Sequence, residues 1–210
     1  MSNKWITIIL LLFCSILSAI AFFYWDIPLA YYCKGLGQSF LDIAEIVTIW
    51  GESLWYYIIL VPAFIYFWFM AKNKLWSMRS LFLLISISAS GLISILIKWL
   101  VGRYRPSMLL KEDLFGFNYF SVGYELSSFP SGHTVTAFSL AAAVSILFPR
   151  LGIPAFIVAV SIGISRILIT SHYLSDVIAG AGIGILSTII VKYYFDRNNI
   201  ELVQNGKEMK

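Results

Sequence analysis

Two histidines, three cations and one carboxylate stand out in three short motifs of this chain: Lys98 with Arg105-Pro106, then Pro130-Ser131-Gly132-His133, then Ser165-Arg166 followed by His172 and Asp176. Those side chains suit phosphoryl transfer. A phosphoryl group in flight spreads negative charge over its equatorial oxygens, and Lys98, Arg105 and Arg166 are cationic donors able to surround them, the arginines in bidentate fashion. Ser131 and Gly132 stand at a predicted helix start, where a hydroxyl and unpaired backbone N–H groups can cradle an anion and glycine permits close approach. His172 and Asp176 are spaced i, i+4, so they share a face if a helix begins there, and the carboxylate can then accept from one ring nitrogen. The other nitrogen keeps its lone pair for attack on phosphorus, giving a phosphohistidine intermediate. His133, the second imidazole, can protonate the leaving alkoxide and later take a proton from water.

Each residue taken singly has a plainer reading. Lys98 or Arg166 near a helix end snorkels to the interface, Pro130-Ser131 opens a helix, and His172 with Asp176 braces a loop. Together, in this order and at these spacings, they resemble the type 2 phosphatidic acid phosphatase family, which takes in lipid phosphate phosphatases and vanadium haloperoxidase-like proteins. The resemblance covers residues 98–176, and the first two predicted spans match only in hydropathy. It implies a six-helix membrane phosphatase with no metal and no other cofactor. The residue matching the nucleophile is His172, its partner is Asp176 and the acid is His133. Lys98, Arg105, Ser131, Gly132 and Arg166 match the phosphate binders.

The rest of the chain must hold those runs at a membrane surface. Of its 210 residues 60% are hydrophobic and 12% charged, with a mean hydropathy of +0.84. A soluble domain carries about 25% charged residues, so soluble enzymes, nucleic-acid modules and disordered tails are excluded despite a net charge of +4. A helical span needs about 20 apolar residues. Six runs qualify: Trp5 to Trp25, Glu52 to Met70, Ser80 to Leu100, Ser131 to Phe148, Ile153 to Ile169 and Asp176 to Phe195. The expected architecture is all-α and polytopic, six transmembrane helices in one bundle, with residues 1–210 forming a single domain. The first run ends in Phe22-Phe23-Tyr24-Trp25 and reads as an uncleaved span rather than a signal peptide. Residues 31–50, with Lys34, Asp42 and Glu45, read as an outer loop carrying an interfacial helix. Ser86, Ser90 and Ser94, and the run Gly180-Ala181-Gly182-Ile183-Gly184, are spaced for close helix packing. Cys14 and Cys33 read as packing residues.

Orientation follows from the basic residues. Lys4, Lys72, Lys74, Arg79, Arg150, Lys192, Arg197, Lys207 and Lys210 fall on one side of a six-span chain, against Lys34, Lys98, Arg103, Arg105, Lys111 and Arg166 on the other. Both termini are therefore expected in the cytoplasm of a plasma or bacterial inner membrane. The three motifs then face the periplasm or cell exterior. Arg103 and Lys111 are expected to meet lipid headgroups or an anionic substrate, and Glu112, Asp113 and Glu125 to lie in a solvated loop. Residues 107–129, rich in Leu and Phe among polar residues, are expected to lie along the interface and cover the site. The tail after Asp196 reads as polar and frayed.

The function expected from these features is hydrolysis of a lipid phosphomonoester or pyrophosphate, with the bilayer and its lipid phosphates as partners and no role for nucleic acid. A lipid phosphotransferase using the same site is the alternative. A haloperoxidase lacks a reason to present its site to a bilayer, and a transporter would show broken helices and internal repeats, which are missing here.

Overall fold

Inside hydrocarbon a chain must satisfy its own backbone N–H and C=O groups, so runs of apolar residues fold as helices. The computed structural model describes residues 3–203 and is built of α1 (Asn3–Tyr24), α2 (Asp26–Lys34), α3 (Gln38–Ile49), α4 (Ser53–Ile65), α5 (Lys74–Val101), α6 (Pro106–Glu112), α7 (Gly132–Leu147), α8 (Gly152–Leu168) and α9 (Leu174–Arg197). The fold is all-α, as expected. Thr7–Tyr24, Gln38–Met70, Lys74–Val101, Pro149–Leu168 and Leu174–Arg197 are each long and apolar enough to cross a membrane. This is a multi-pass membrane protein.

The exception among the six expected spans is α7. Its 16 residues cover about 24 Å at 1.5 Å each, less than the roughly 30 Å of hydrocarbon. The shortfall has a structural reason: α7 is the centre of the bundle, packed by α5, α8 and α9. Thr134, Val135, Ala137, Ser139, Ala141 and Ala143 are all buried, so small residues stand where a lipid-facing helix would carry leucine. On α9, a Cβ at Gly184 would lie 2.5 Å from the Val135 carbonyl oxygen, whereas one at Gly182 would lie 2.9 Å from Cβ of Cys14 on α1. The glycine run thus seats α9 between two helices, and Thr188 adds a 3.1 Å bond to the Ser139 carbonyl.

Residues 31–50 differ from expectation. They contribute to two helices rather than a loop with one: α2 tucks Asp26, Ala30 and Cys33 inward, and α3 packs along α8. Pro62 lies inside α4, where it lacks a backbone donor, and beyond it the helix ends in a π-helical turn at Tyr66–Met70. The start of the C-terminal tail is also better ordered than its composition implied. Ile200 and Leu202 pack on Met78, Phe82 and Phe195, and Arg79 Nε donates to the Leu202 carbonyl at 2.9 Å. Lys207 and Lys210, counted in the charge balance, lie outside the described residues.

Candidate active site

The site is assembled by four helix ends. α5 stops at Gly102, whose φ of 55° and whose approach to Asn118 admit no side chain: a Cβ there would sit 1.8 Å from the Asn118 carbonyl oxygen. The chain reverses and sends Arg103 inward, two residues before Arg105. The connection to α7 then folds back on this corner. Ser128 N–H donates to the Arg103 carbonyl (3.1 Å), and Arg105 N–H to that of Glu125 (2.9 Å). Phe115 and Phe117 stack on Phe22 of α1, so the segment expected to cover the site is anchored at its middle. Its far end, Tyr124 to Ser128, forms a wall of the site.

The five residues between Arg166 and His172 make a turn that returns to its start. The N–H groups of Ser171 and His172 both donate to the Arg166 carbonyl, at 3.1 and 3.2 Å, which brings the two motif residues together. His172 precedes α9 instead of belonging to it. Its Nδ1 lies 2.7 Å from the Ser128 carbonyl oxygen and 3.6 Å from Asp176 Oδ2. The ring's bond is therefore to a backbone carbonyl, where the spacing had pointed to the carboxylate. A carbonyl only accepts, so Nδ1 carries the hydrogen and Nε2 is left with the lone pair. Burial above all, opposed by Asp176 and reinforced by the charges of Lys98 and Arg105, pushes the His172 ring down to about 3. It is neutral at physiological pH.

Asp176 is held by other partners. Oδ1 accepts from Arg103 Nη1 at 2.5 Å, and Oδ2 accepts from Ser128 Oγ at 2.6 Å and from the Tyr173 N–H at 2.8 Å, the last bond capping α9. Arg103 also donates to Asp26 Oδ2 of α2 at 2.6 Å, and Asp26 takes the N–H and hydroxyl of Ser175. Arg103 is 1% exposed, with the rings of Tyr173 and Phe22 at 4.5 and 4.9 Å. The expectation that Arg103 meets headgroups or substrate is thus overturned: it is a buried clamp between two carboxylates. Burial opposes its charge, but Asp176 and Asp26 outweigh burial and hold the guanidinium more firmly protonated. Lys111 is exposed at the end of α6.

The remaining cations converge. Lys98, Arg105 and Arg166 repel one another, and all three act on His133. Lys98 donates to the Ser127 carbonyl. Arg105 donates to the Tyr124 and Ser171 carbonyls at 2.7 and 3.1 Å, with the Tyr124 ring at 3.9 Å. Arg166 donates Nη1 to Thr48 Oγ1 at 2.8 Å, but its buried Nε has no partner. Gly132 opens α7 beside Lys98, and an added Cβ would come 3.9 Å from Lys98 Cε. Ser131 is fully buried; its N–H donates to the Asp176 carbonyl (3.1 Å) and its hydroxyl accepts from Thr134 (2.9 Å). That leaves the serine's own hydroxyl hydrogen for an anion, but not its amide. His133 Nε2 lies 3.5 Å from Glu52 Oε2.

Sequence reasoning missed Asp26, Ser128, Ser175 and the true place of Arg103. Asp26 gave one signal, a lone carboxylate directly after an apolar run with no basic neighbour. Arg103 gave another, a third cation between two already matched to the phosphate.

Residues 79–200 match the PAP2 superfamily. The chain is 32% identical to a lipid A 1-phosphatase of Rhizobium etli over 68% of its own length and 66% of the relative's, and 31% identical to a lipid A 1-phosphatase of Rhizobium johnstonii over 74% and 68%. It therefore spans about two thirds of these relatives. The crystal structure of a PAP2-type phosphatidylglycerolphosphate phosphatase from Bacillus subtilis superposes with a TM-score of 0.68 at 22% identity, covering 97% of this chain and 98% of that one.

Proposed function

The chain belongs to the PAP2 superfamily, and from that premise we propose that it is a membrane phosphatase hydrolysing a phosphomonoester or pyrophosphate of a lipid through a phosphohistidine. The observation that carries this reading is the bond from His172 Nδ1 to the Ser128 carbonyl, which leaves the Nε2 lone pair free to attack phosphorus beside a cluster of three cations. The lone pair of Nε2 forms the P–N bond as the P–O bond to the lipid breaks, and His133 gives its proton to the departing oxygen. Water then attacks phosphorus, His133 takes the water's proton, and the P–N bond breaks to release phosphate. Lys98, Arg105 and Arg166, with Ser131 and Gly132, hold the phosphoryl oxygens, and the partnerless Nε of Arg166 is a donor that such an anion satisfies.

Because these cations neutralise the phosphoryl charge, the reaction needs no divalent ion. The amphiphilic substrate leaves its chain in hydrocarbon, where each buried methylene adds about 0.8 kcal/mol. Purified protein in detergent should release free phosphate from a panel of lipid A, a phosphatidylglycerol phosphate, phosphatidic acid and an isoprenyl pyrophosphate, equally well with and without chelator. A short-chain analogue of the best of them should be turned over far less efficiently. Transfer of phosphate to a second lipid without release overturns hydrolysis, and loss of activity in chelator restored by magnesium overturns the metal-free mechanism.

The site faces the periplasm or cell exterior in this reading, with both termini cytoplasmic. Support comes from α5 and α8, whose site ends carry Lys98 and Arg166, while Lys72, Lys74, Arg79 and Arg150 gather at their other ends. A cysteine placed at Asn118, in a chain with Cys14 and Cys33 changed to serine, should react with an impermeant maleimide in intact cells. Labelling only after permeabilisation reverses the orientation.

A further inference from the structure

The turn between α3 and α4 belongs to neither the three motifs nor the family match, yet it grips two residues of the site. Thr48, near the end of α3, accepts from Arg166 at 2.8 Å. Glu52, at the start of α4, brings Oε2 to 3.5 Å from His133 Nε2. Between them Gly51 lies flat against the imidazole: a Cβ there would stand 2.8 Å from His133 Cβ and from Ile162 Cγ2, and 2.9 Å from His133 Cδ2. The turn therefore packs on the ring itself and sets the carboxylate beside it.

Consider the charges around that ring. Burial does most to disfavour a proton on His133, and Arg166 from α8, Arg105 from the corner after α5 and Lys98 from α5 add to it. From α9, Asp176 is turned to Arg103, Ser128 and the Tyr173 N–H. Glu52 is the carboxylate within ion-pair distance of His133 among the described residues, and it acts on Arg166 as well. A general acid must hold its proton until the leaving group departs, and a ring facing three cations does this poorly without an anion.

Building on the phosphatase reading, we propose that Glu52 is a positioning residue that fixes the orientation of the His133 ring and favours its proton-bearing form. The carboxylate is not itself a proton donor in the reaction. The ring proton of His133 passes to the alkoxide as the P–O bond breaks, and His133 regains a proton from the attacking water. Glu52 is half exposed, so it stabilises the imidazolium without blocking the approach of substrate.

The sign of the effect follows. Glu52 favours the protonated ring, so removing its charge makes the acid form disappear at lower pH. In the full chain, Glu52→Gln should move the alkaline limb of kcat/KM down by about one pH unit. On that limb it should cut turnover of an alkyl phosphate about tenfold. Turnover of a nitrophenyl phosphate bearing the same alkyl chain should change by less than about twofold, because that leaving group departs without a proton. Glu52→Asp should restore part of the alkyl phosphate rate. Equal losses on both substrates with an unmoved alkaline limb, in a preparation whose wild type hydrolyses both, overturn the role of Glu52 alone. A wild type inert to both overturns the phosphatase reading and this role with it.

Discussion

His172→Ala should lower kcat by about 10,000-fold or more, with the protein still folded and still binding its lipid phosphate. The reason lies in the ring's single geometry. Its Nδ1 hydrogen is fixed by the Ser128 carbonyl at 2.7 Å, so the Nε2 lone pair can attack without any proton having to move first, and in the proposed mechanism the other imidazole, His133, is committed to proton transfer. Burial, opposed by Asp176, keeps the ring neutral until the pH approaches about 3. The profile of kcat/KM should accordingly show no acid limb near 6.5 from this residue. The same shift has a sign for stability: the unfolded ring takes up a proton below its ordinary value while the folded ring does not, so stability falls as pH drops from about 6.5 towards 3. Acid-labile, base-stable label from a phosphorus-labelled substrate should be trapped on wild type and be absent from His172→Ala. Near-normal turnover by His172→Ala, or label retained on it, overturns the assignment. His133→Ala is the informative contrast, for its loss should shrink as the leaving group improves, whereas the loss in His172→Ala should not.

The division between what the chain discloses in one dimension and what it withholds is visible in this site. Lys98, Arg105, Ser131, Gly132, His133, Arg166, His172 and Asp176 can be singled out in the sequence as candidates because their chemistry resides in side-chain type and their spacing is local. The helices were found because twenty apolar residues admit few other fates. The partner of His172 was not found, since a backbone carbonyl has no residue signature: every residue between Arg105 and Pro130 offers one. Local spacing instead favoured Asp176, which proved to cap its own helix and bind Arg103. Asp26 and Arg103 are 77 residues apart, and a lone carboxylate has no periodicity to betray its partner. Residues 31–50 were underestimated because Lys34, Asp42 and Glu45 made an apolar segment look like a loop. Those charges sit at the ends or on the exposed sides of α2 and α3.

Arg103→Leu should be the most destabilising single change in the region, costing about 3–5 kcal/mol. The guanidinium binds Asp26 and Asp176 at 2.6 and 2.5 Å, and the side chains of both carboxylates are fully buried. Leucine removes the cation and leaves two carboxylates facing each other away from water, which is far worse than the loss of two hydrogen bonds. Asp26→Asn should cost much less. It keeps one oxygen to accept the Ser175 N–H and loses the second, which accepted from the Ser175 hydroxyl and Arg103, but it leaves Arg103 matched one to one with Asp176. Pairing the two changes should therefore recover part of the loss, because Arg103→Leu with Asp26→Asn strands one carboxylate instead of two. The consequence reaches the site through Asp176, whose other bonds hold the Ser128 hydroxyl and the Tyr173 N–H, the two residues that frame His172. Thermal unfolding in detergent should rank the proteins wild type, Asp26→Asn, the double variant, then Arg103→Leu, with phosphatase activity of the surviving folded fraction falling in the same order. If Arg103→Leu melts at the wild-type temperature, the cluster is not the brace that its geometry implies; if the double variant is no better than Arg103→Leu alone, the damage comes from lost packing against Phe22 and Tyr173 rather than from stranded charge.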